Sequence, residues 1–412
     1  MSFPDVDAKD RLDLTQLSTS VAESIQRVLS SVRGYLGMDV AFVSEFAGQQ
    51  KIFRNVDSSR ADAPVKAGGV VPIAEGYCRH VVEGRLPELI PNTGLLPAAR
   101  AIPETAAIPI GAHLSVPIRL RSGRTFGTFC SFSYLPKPSL DRRDLELMRT
   151  FSQLVARQID GEVEADDRRL EKLERVRGAV GAGDPQIVYQ PICRLADGAV
   201  TGVEALSRFT SEPRRTPDQW FDEASEVGLA EMLELLAVRK AIVETETLPR
   251  QLTLSVNISP SVVMHGRLEE ALRGFDPHRL VLEVTEHEII EDYQRLIEAL
   301  APYRARGIKV AIDDAGAGYA SLRHVLMLRP DIIKFDLSIT RGVDVDPMRM
   351  AMAAALAEFA RHTGTGIIAE GVETESELKV LREIGIEKGQ GYLFGRPMSA
   401  RAIKGAQRPQ PE

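Results

Sequence analysis

Residues 309–336 read KVAIDDAGAGYASLRHVLMLRPDIIKFD, and their reading decides the fold. Two short apolar runs, Lys309–Ile312 and Ile332–Phe335, bracket a stretch in which His324 falls on a helical pattern. The first run ends in Asp313-Asp314; around the second, Lys334 and Asp336 flank Phe335. Short apolar runs of this kind suit strands buried on both faces of a parallel sheet.

The same pattern extends outward. Runs at Ile187–Tyr189, Gly202–Leu206, Thr253–Val256, Leu280–Val284 and Gly366–Ala369, with a short one near Lys388, bring the total to eight. Helical patterns such as Glu231–Glu244, Glu286–Arg304 and Pro347–Thr363 lie between them. This repeated β-α alternation predicts a closed, TIM-like (β/α)8 barrel over residues 183–405.

Polar residues gather where the runs stop: Glu204, Asn257, Glu283, Asp313, Asp314, Lys334, Asp336, Glu370, Glu373 and Gln390. In a barrel the carboxyl ends of the strands share one face, and active sites form there. A single carboxylate at a strand end is usually a helix cap. Carboxylates at successive strand ends form a crowd of like charge that needs compensation. Oxygen ligands are hard, which favours Mg2+ or Mn2+ over Zn2+. Two such ions about 3.5–4 Å apart would clamp a phosphodiester and activate a water. A neighbouring lysine would stabilise the developing charge.

Upstream, residues 14–159 mix helix and strand signals. Ser18 to Tyr35 has helical spacing, and strand-like runs follow at Val40–Phe46, Leu114–Leu120 and Thr125–Tyr134. The last two flank Arg121-Ser122-Gly123-Arg124, a hairpin signal, so an α+β unit with an antiparallel sheet is expected. Residues 140–180 carry apolar residues at spacings of three and four and predict one long helix. Two readings of that helix stand: a solvated linker, or half of a parallel two-helix stalk in a homodimer.

Composition limits the classes. The chain has 412 residues and a net charge of −7, which argues against DNA binding. Cys78, Cys130 and Cys193 are widely spaced and include no CxxC pair, so neither a zinc knuckle nor a disulfide framework is supported. No apolar run approaches the ~20 residues of a membrane span, and Met1 to Asp13 lacks the apolar core of a signal peptide. A cytoplasmic location without membrane insertion is the expectation. Trp220 reads as a packing anchor.

The motifs in the second half are similar to those of a known family. Tyr189-Gln190-Pro191-Ile192, Glu204-Ala205-Leu206-Ser207-Arg208, Ser255-Val256-Asn257-Ile258-Ser259-Pro260, Glu283-Val284-Thr285-Glu286, Asp313-Asp314, Lys334-Phe335-Asp336, Ala369-Glu370-Gly371-Val372-Glu373-Thr374 and the run Gln390–Pro397 stand in order. Together they resemble the EAL family of cyclic di-GMP phosphodiesterases. That resemblance implies opening of cyclic di-GMP to linear pGpG with two divalent cations. It implies Glu204, Asn257, Glu283 and Asp313 as ligands of one metal, with Asp313, Asp314 and Glu370 at the second. Lys334 would contact the attacking water or the phosphate. Gln190, Leu206, Arg208, Asp336, Glu373 and Gln390 would contact substrate, and Glu286 would anchor the loop after Asp314. That loop, Ala315–Leu322, departs from the family's Phe-Gly-Thr-Gly-Tyr-Ser-Ser-Leu at an aromatic and two hydroxyl positions. Hydrolase and catalytically silent receptor controlling a protein partner therefore stand as alternatives, separated by turnover.

The first half resembles a GAF sensory domain through Glu75-Gly76-Tyr77-Cys78-Arg79-His80, Pro91-Asn92-Thr93, residues 111–118 and residues 127–132. Such a domain implies regulation, with a small-molecule ligand whose identity the sequence leaves open, or none.

Overall fold

A computed structural model describes residues 18–285, 290–315 and 319–406, with the side chains at 75, 106, 246, 314, 315, 319–322, 405 and 406 left aside. Two compact units divide at Arg168/Arg169.

The first unit is built on one antiparallel sheet. Its strands are β1 (Val40–Ala47), β2 (Gln50–Ser58), β3 (Val70–Pro72), β4 (Leu89–Ile90), β5 (Ala112–Arg119) and β6 (Thr125–Ser133), in the order β3-β2-β1-β6-β5-β4. The opening helix, Thr19–Leu36, starts where the Ser18 hydroxyl accepts the Val21 N–H and stops at Gly37, which adopts φ 57°. Its Ile25, Leu29, Val32 and Leu36 are buried at helical spacing. Alternation along β1 divides the core. Ala41 and Val43 join that helix, whereas Val40 and Phe42 join Tyr77, Cys78, Cys130 and Phe132 on the other face. The expected β5–β6 hairpin forms. Strand β2 is an addition to the sequence reading, since its Lys51, Arg54 and Asp57 disguise it.

Arg142–Gly181 is one helix of 40 residues. Its Met148, Val155, Ala156 and Ile159 pack into the first core. Val176, Ala179 and Val180 pack with Phe209, Trp220 and Leu233 of the second unit.

The second unit is a closed eight-stranded barrel: β7 (Gln186–Arg194), β8 (Val200–Arg208), β9 (Thr253–Ile258), β10 (Leu280–Val284), β11 (Lys309–Ala315), β12 (Ile332–Phe335), β13 (Gly366–Ala369) and β14 (Lys388–Gly389). All five residues of β10 are buried, as a strand covered on both faces requires. Truncating Leu282, wholly buried in this core, would cost about 2–5 kcal/mol. One feature corrects the simple (β/α)8 expectation: β7 runs antiparallel to both β8 and β14. The cause is local. Asp197-Gly198, with φ 71° at Gly198, folds β7 onto β8 as a hairpin, and a connection that short cannot join parallel strands.

Candidate active site

Register brings the polar residues together. Gln190 pairs across from Glu204 because β7 runs backward, and Glu283 lies beside Asn257. Asp313 follows Ile312, which pairs with both Val284 and Ile333, so it arrives level with Lys334. Glu370 leaves β13 just before Gly371, whose φ of 66° turns the chain sharply; a Cβ there would meet Leu337 Cδ1 at 2.0 Å.

Lys334 is the hub. It is 1% exposed, and its ammonium lies 2.7 Å from Glu283, 2.9 Å from Glu370, 3.1 Å from Asp313 and 3.3 Å from Glu204. Burial works against its charge, but the carboxylates outweigh it and hold the ammonium well above the usual lysine range. One cation does not balance four anions. Burial, together with Glu204 and Asp313, pushes the Glu283 carboxyl well up against the pull of Lys334. Burial likewise raises Glu370 to about 8. Glu204 goes the other way, because Lys334, Gln390 and Asn257 together overcome its burial.

A second layer fixes Glu204. Gln390 Nε2 donates to Glu204 Oε2 at 2.5 Å and to Gln190 Oε1 at 3.0 Å, while Gln190 Nε2 donates to the Gly395 carbonyl at 3.4 Å. Asn257 Nδ2 donates to Glu204 Oε1 at 3.1 Å, which leaves its amide oxygen as the atom for a cation. Such outer contacts orient ligands.

The residues suit divalent cations. Ligand oxygens of Glu204, Glu283 and Asp313 lie within 4.8 Å of one another. Glu283 Oε1 is buried with no hydrogen-bond partner among the described residues. Hard oxygen donors with excess negative charge are the set Mg2+ and Mn2+ take.

A cavity of about 690 Å³ adjoins this rim, lined by Glu204, Leu206, Arg208, Asn257 and Asp313 on the strand side. On its other side lie Asp218, Phe221, Asp222 and Ser225 of the helix Pro217–Glu226. The sequence reading missed that helix face, although its spacing of three and four was visible. Trp220, on the opposite face, is fully buried and stacks on Phe209 at 5.1 Å.

Not every expected residue joins the cluster. Asp336 caps the helix Leu337–Thr340 by accepting the Ser338 N–H at 2.8 Å. Glu373 pairs with Arg341 at 2.7 Å. Glu286 and residues 316–318 lie outside the described residues, as do the side chains of Asp314 and of 315 and 319–322.

A barrel with an acidic, lysine-centred rim above a cavity defines a class of site suited to cation-assisted phosphoester chemistry. The chain belongs to the EAL domain family, whose model matches residues 173–397. A GAF domain model matches residues 18–160. The cyclic di-GMP phosphodiesterase NbdA of Pseudomonas aeruginosa is 31% identical over 58% of this chain and 32% of its own length. The probable cyclic di-GMP phosphodiesterase PdeB of Escherichia coli is 30% identical over 54% of this chain and 45% of its own length. The chain thus spans less than half of either relative. Among solved structures, the PaMucR phosphodiesterase in complex with c-di-GMP is 28% identical with a TM-score of 0.52, over 57% of this chain and 99% of that one. The EAL enzyme Bd1971 shares the fold over 90% of this chain and 93% of its own, at 19% identity and a TM-score of 0.55.

Proposed function

We infer that the barrel hydrolyses one 3′,5′-phosphodiester bond of cyclic di-GMP to give linear pGpG. The observation that carries this reading is the convergence of Glu204, Glu283, Asp313 and Glu370 on one buried ammonium beside a nucleotide-sized cavity. The relatives' names supply the substrate. Glu204, Asn257, Glu283 and Asp313 would hold one Mg2+ or Mn2+, and Asp313, Asp314 and Glu370 a second. When bound, the two ions supply Lewis-acid polarisation of the phosphate and an activated water.

The chain's own groups do the rest. Lys334, at the centre of the acidic cluster, would donate a hydrogen bond to the phosphate oxygen that gains charge. Gln390 and Gln190 hold Glu204 in one orientation. Leu206 and Arg208 line the cavity and would meet the substrate's ribose-phosphate. Asp336 and Glu373 join the substrate contacts on the family resemblance.

The test is product analysis: purified chain, cyclic di-GMP and Mn2+, with and without chelator, alongside Glu204→Ala. Linear pGpG should form only with metal and wild-type Glu204. Tight binding without linear product would replace the enzyme with the silent receptor.

The functional unit is a homodimer in this reading. The helix Pro347–Thr363 exposes Met348, Met352 and Phe359 along one face, an apolar stripe that a second copy would cover. The N-terminal domain regulates the barrel through the helix Arg142–Gly181, and the protein acts in the cytoplasm. No helix among the described residues is long and apolar enough to cross a membrane. Replacing residues 166–169 with glycines should uncouple the domains, read as loss of any ligand-dependent change in turnover.

A further inference from the structure

The sheet unit holds a second buried charge centre that the barrel chemistry does not use. Lys51 of β2 is 0% exposed. Its ammonium lies 3.3 Å from Glu104 Oε1, 3.8 Å from Cys78 Sγ and 4.9 Å from the Phe53 ring centre. The other Glu104 oxygen accepts the Tyr77 N–H at 3.0 Å. Gly76 is needed for this approach, since a Cβ there would sit 2.7 Å from both Lys51 Nζ and Glu104 Oε2. Glu104 divides its oxygens between this ammonium and the Tyr77 N–H, and the Cys78 sulfur stands within reach of the same positive charge, which favours its thiolate.

A second sulfur completes the arrangement. Cys130 Sγ lies 3.5 Å from Cys78 Sγ, brought there by the alternation of β6 against the helix Tyr77–Val82. Cys130 also contacts Ser115 Oγ at 2.9 Å and Thr128 Oγ1 at 3.1 Å. Buried cysteines are usually inert small fillers. A cation beside one sulfur and a second thiol against it are what a filler does not need.

We propose that Cys78 and Cys130 are a redox modification site, a dithiol that a small hydroperoxide converts to a disulfide, with Lys51 holding Cys78 as the attacking thiolate. In the first step the Cys78 thiolate attacks one peroxide oxygen. The S–O bond forms, the O–O bond breaks, and hydroxide leaves and is protonated by solvent, giving Cys78 sulfenic acid. In the second step the Cys130 sulfur attacks Cys78 Sγ. The S–S bond forms, the S–O bond breaks, and the thiol proton leaves with the departing oxygen as water. Peroxide takes up the two electrons that the sulfurs lose. Both sulfurs are closed to solvent, so a water-sized oxidant reaches them during local opening and a glutathione-sized disulfide does not.

The electrostatics assign the roles. The hydrogen bond from Cys130, reinforced by Lys51 against burial and the Glu104 carboxylate, brings the Cys78 thiol down to about 6. Burial raises Cys130, which stays protonated as the second sulfur. Cys193 supplies an internal control, since burial and Asp197 push its thiol up to about 11.

The experiment treats the full chain with hydrogen peroxide at neutral pH, then denatures, alkylates and counts labelled thiols by mass spectrometry. The expected result is joint loss of two of the three labels. A Cys78–Cys130 peptide pair should appear in the non-reduced digest, and dithiothreitol should restore all labels. In Cys130→Ser, Cys78 should stop at sulfenic acid, trapped by dimedone. Lys51→Met should slow Cys78 oxidation about tenfold or more without changing Cys193. Should Lys51→Met not fold, the Cys130→Ser arm decides alone. Oxidation of Cys193 as fast as Cys78, sulfinic acid at Cys78 with Cys130 intact in the wild type, or retention of all labels would overturn the proposal. None of these readouts depends on hydrolysis by the barrel.

Discussion

Among the described residues two lysines are fully buried, one in each unit, and their charge surroundings differ. Lys334 is surrounded by four carboxylates, so its surroundings are short of positive charge. Lys51 has Glu104 as its one carboxylate among the described residues, plus the faces of Phe53 and Phe42, so its charge is already matched. A buried charge must be paired or neutralised. The barrel's imbalance calls for divalent cations, whereas the sheet's lysine is paired and stabilises a Cys78 thiolate only through its nearness to that sulfur. The same residue type thus stands in a candidate metal site in one place and beside the proposed reactive sulfur in the other.

The comparison can be broken at several points. The largest effect should come from Glu204→Gln, which removes one anion and one of the two oxygens that accept from Asn257 and Gln390. Turnover should fall on the order of 10³-fold or more, and Mn2+ affinity measured by calorimetry should fall with it. Lys334→Met should separate the two quantities. Turnover should drop by about 10²–10³, yet Mn2+ should bind at least as tightly, because a competing cation has gone. Weaker Mn2+ binding in that variant would contradict the charge argument. Gln390→Ala should cost about 10–100-fold in metal affinity or activity, since it only orients Glu204. Lys51→Met should leave Mn2+ affinity unchanged.

The smallest effect concerns pH and the sheet unit. His113 is buried, stacks on Tyr77 at 4.4 Å, and its Nδ1 has no hydrogen-bond partner among the described residues. Burial, with Lys51 adding to it, brings it down to about 3. As pH falls, the unfolded chain takes up the proton first. Stability that is complete above the ordinary histidine value of about 6.5 is therefore lost progressively toward pH 3. Between pH 7 and pH 5 the loss should be about 2 kcal/mol, read by hydrogen exchange of β5 amides. His113→Phe should flatten that dependence.

The barrel was legible because its strands are short continuous apolar runs, each closed by a polar residue. The positions that became Glu204, Glu283, Asp313 and Lys334 of the cluster stood out for that reason. The direction of β7 was hidden inside a repeat, although Asp197-Gly198 signals a hairpin. Strand β2 was hidden by its charges, since a sequence pattern cannot tell a buried Lys51 from a solvated one. The cavity face of Asp218, Phe221, Asp222 and Ser225 went unnoticed, because its mix of charged and polar residues is that of any solvated helix surface. Asp336 shows the reverse case, a strand-end carboxylate that caps a helix.

The most direct measurement is a titration of metal-free chain with Mn2+, following bound metal and pGpG together. Occupancy of the acidic rim and turnover should rise in step, with protons released as Glu283 and Glu370 ionise. Hydrolysis at full rate before any Mn2+ is bound, or saturated binding with cyclic di-GMP left intact, would contradict the account.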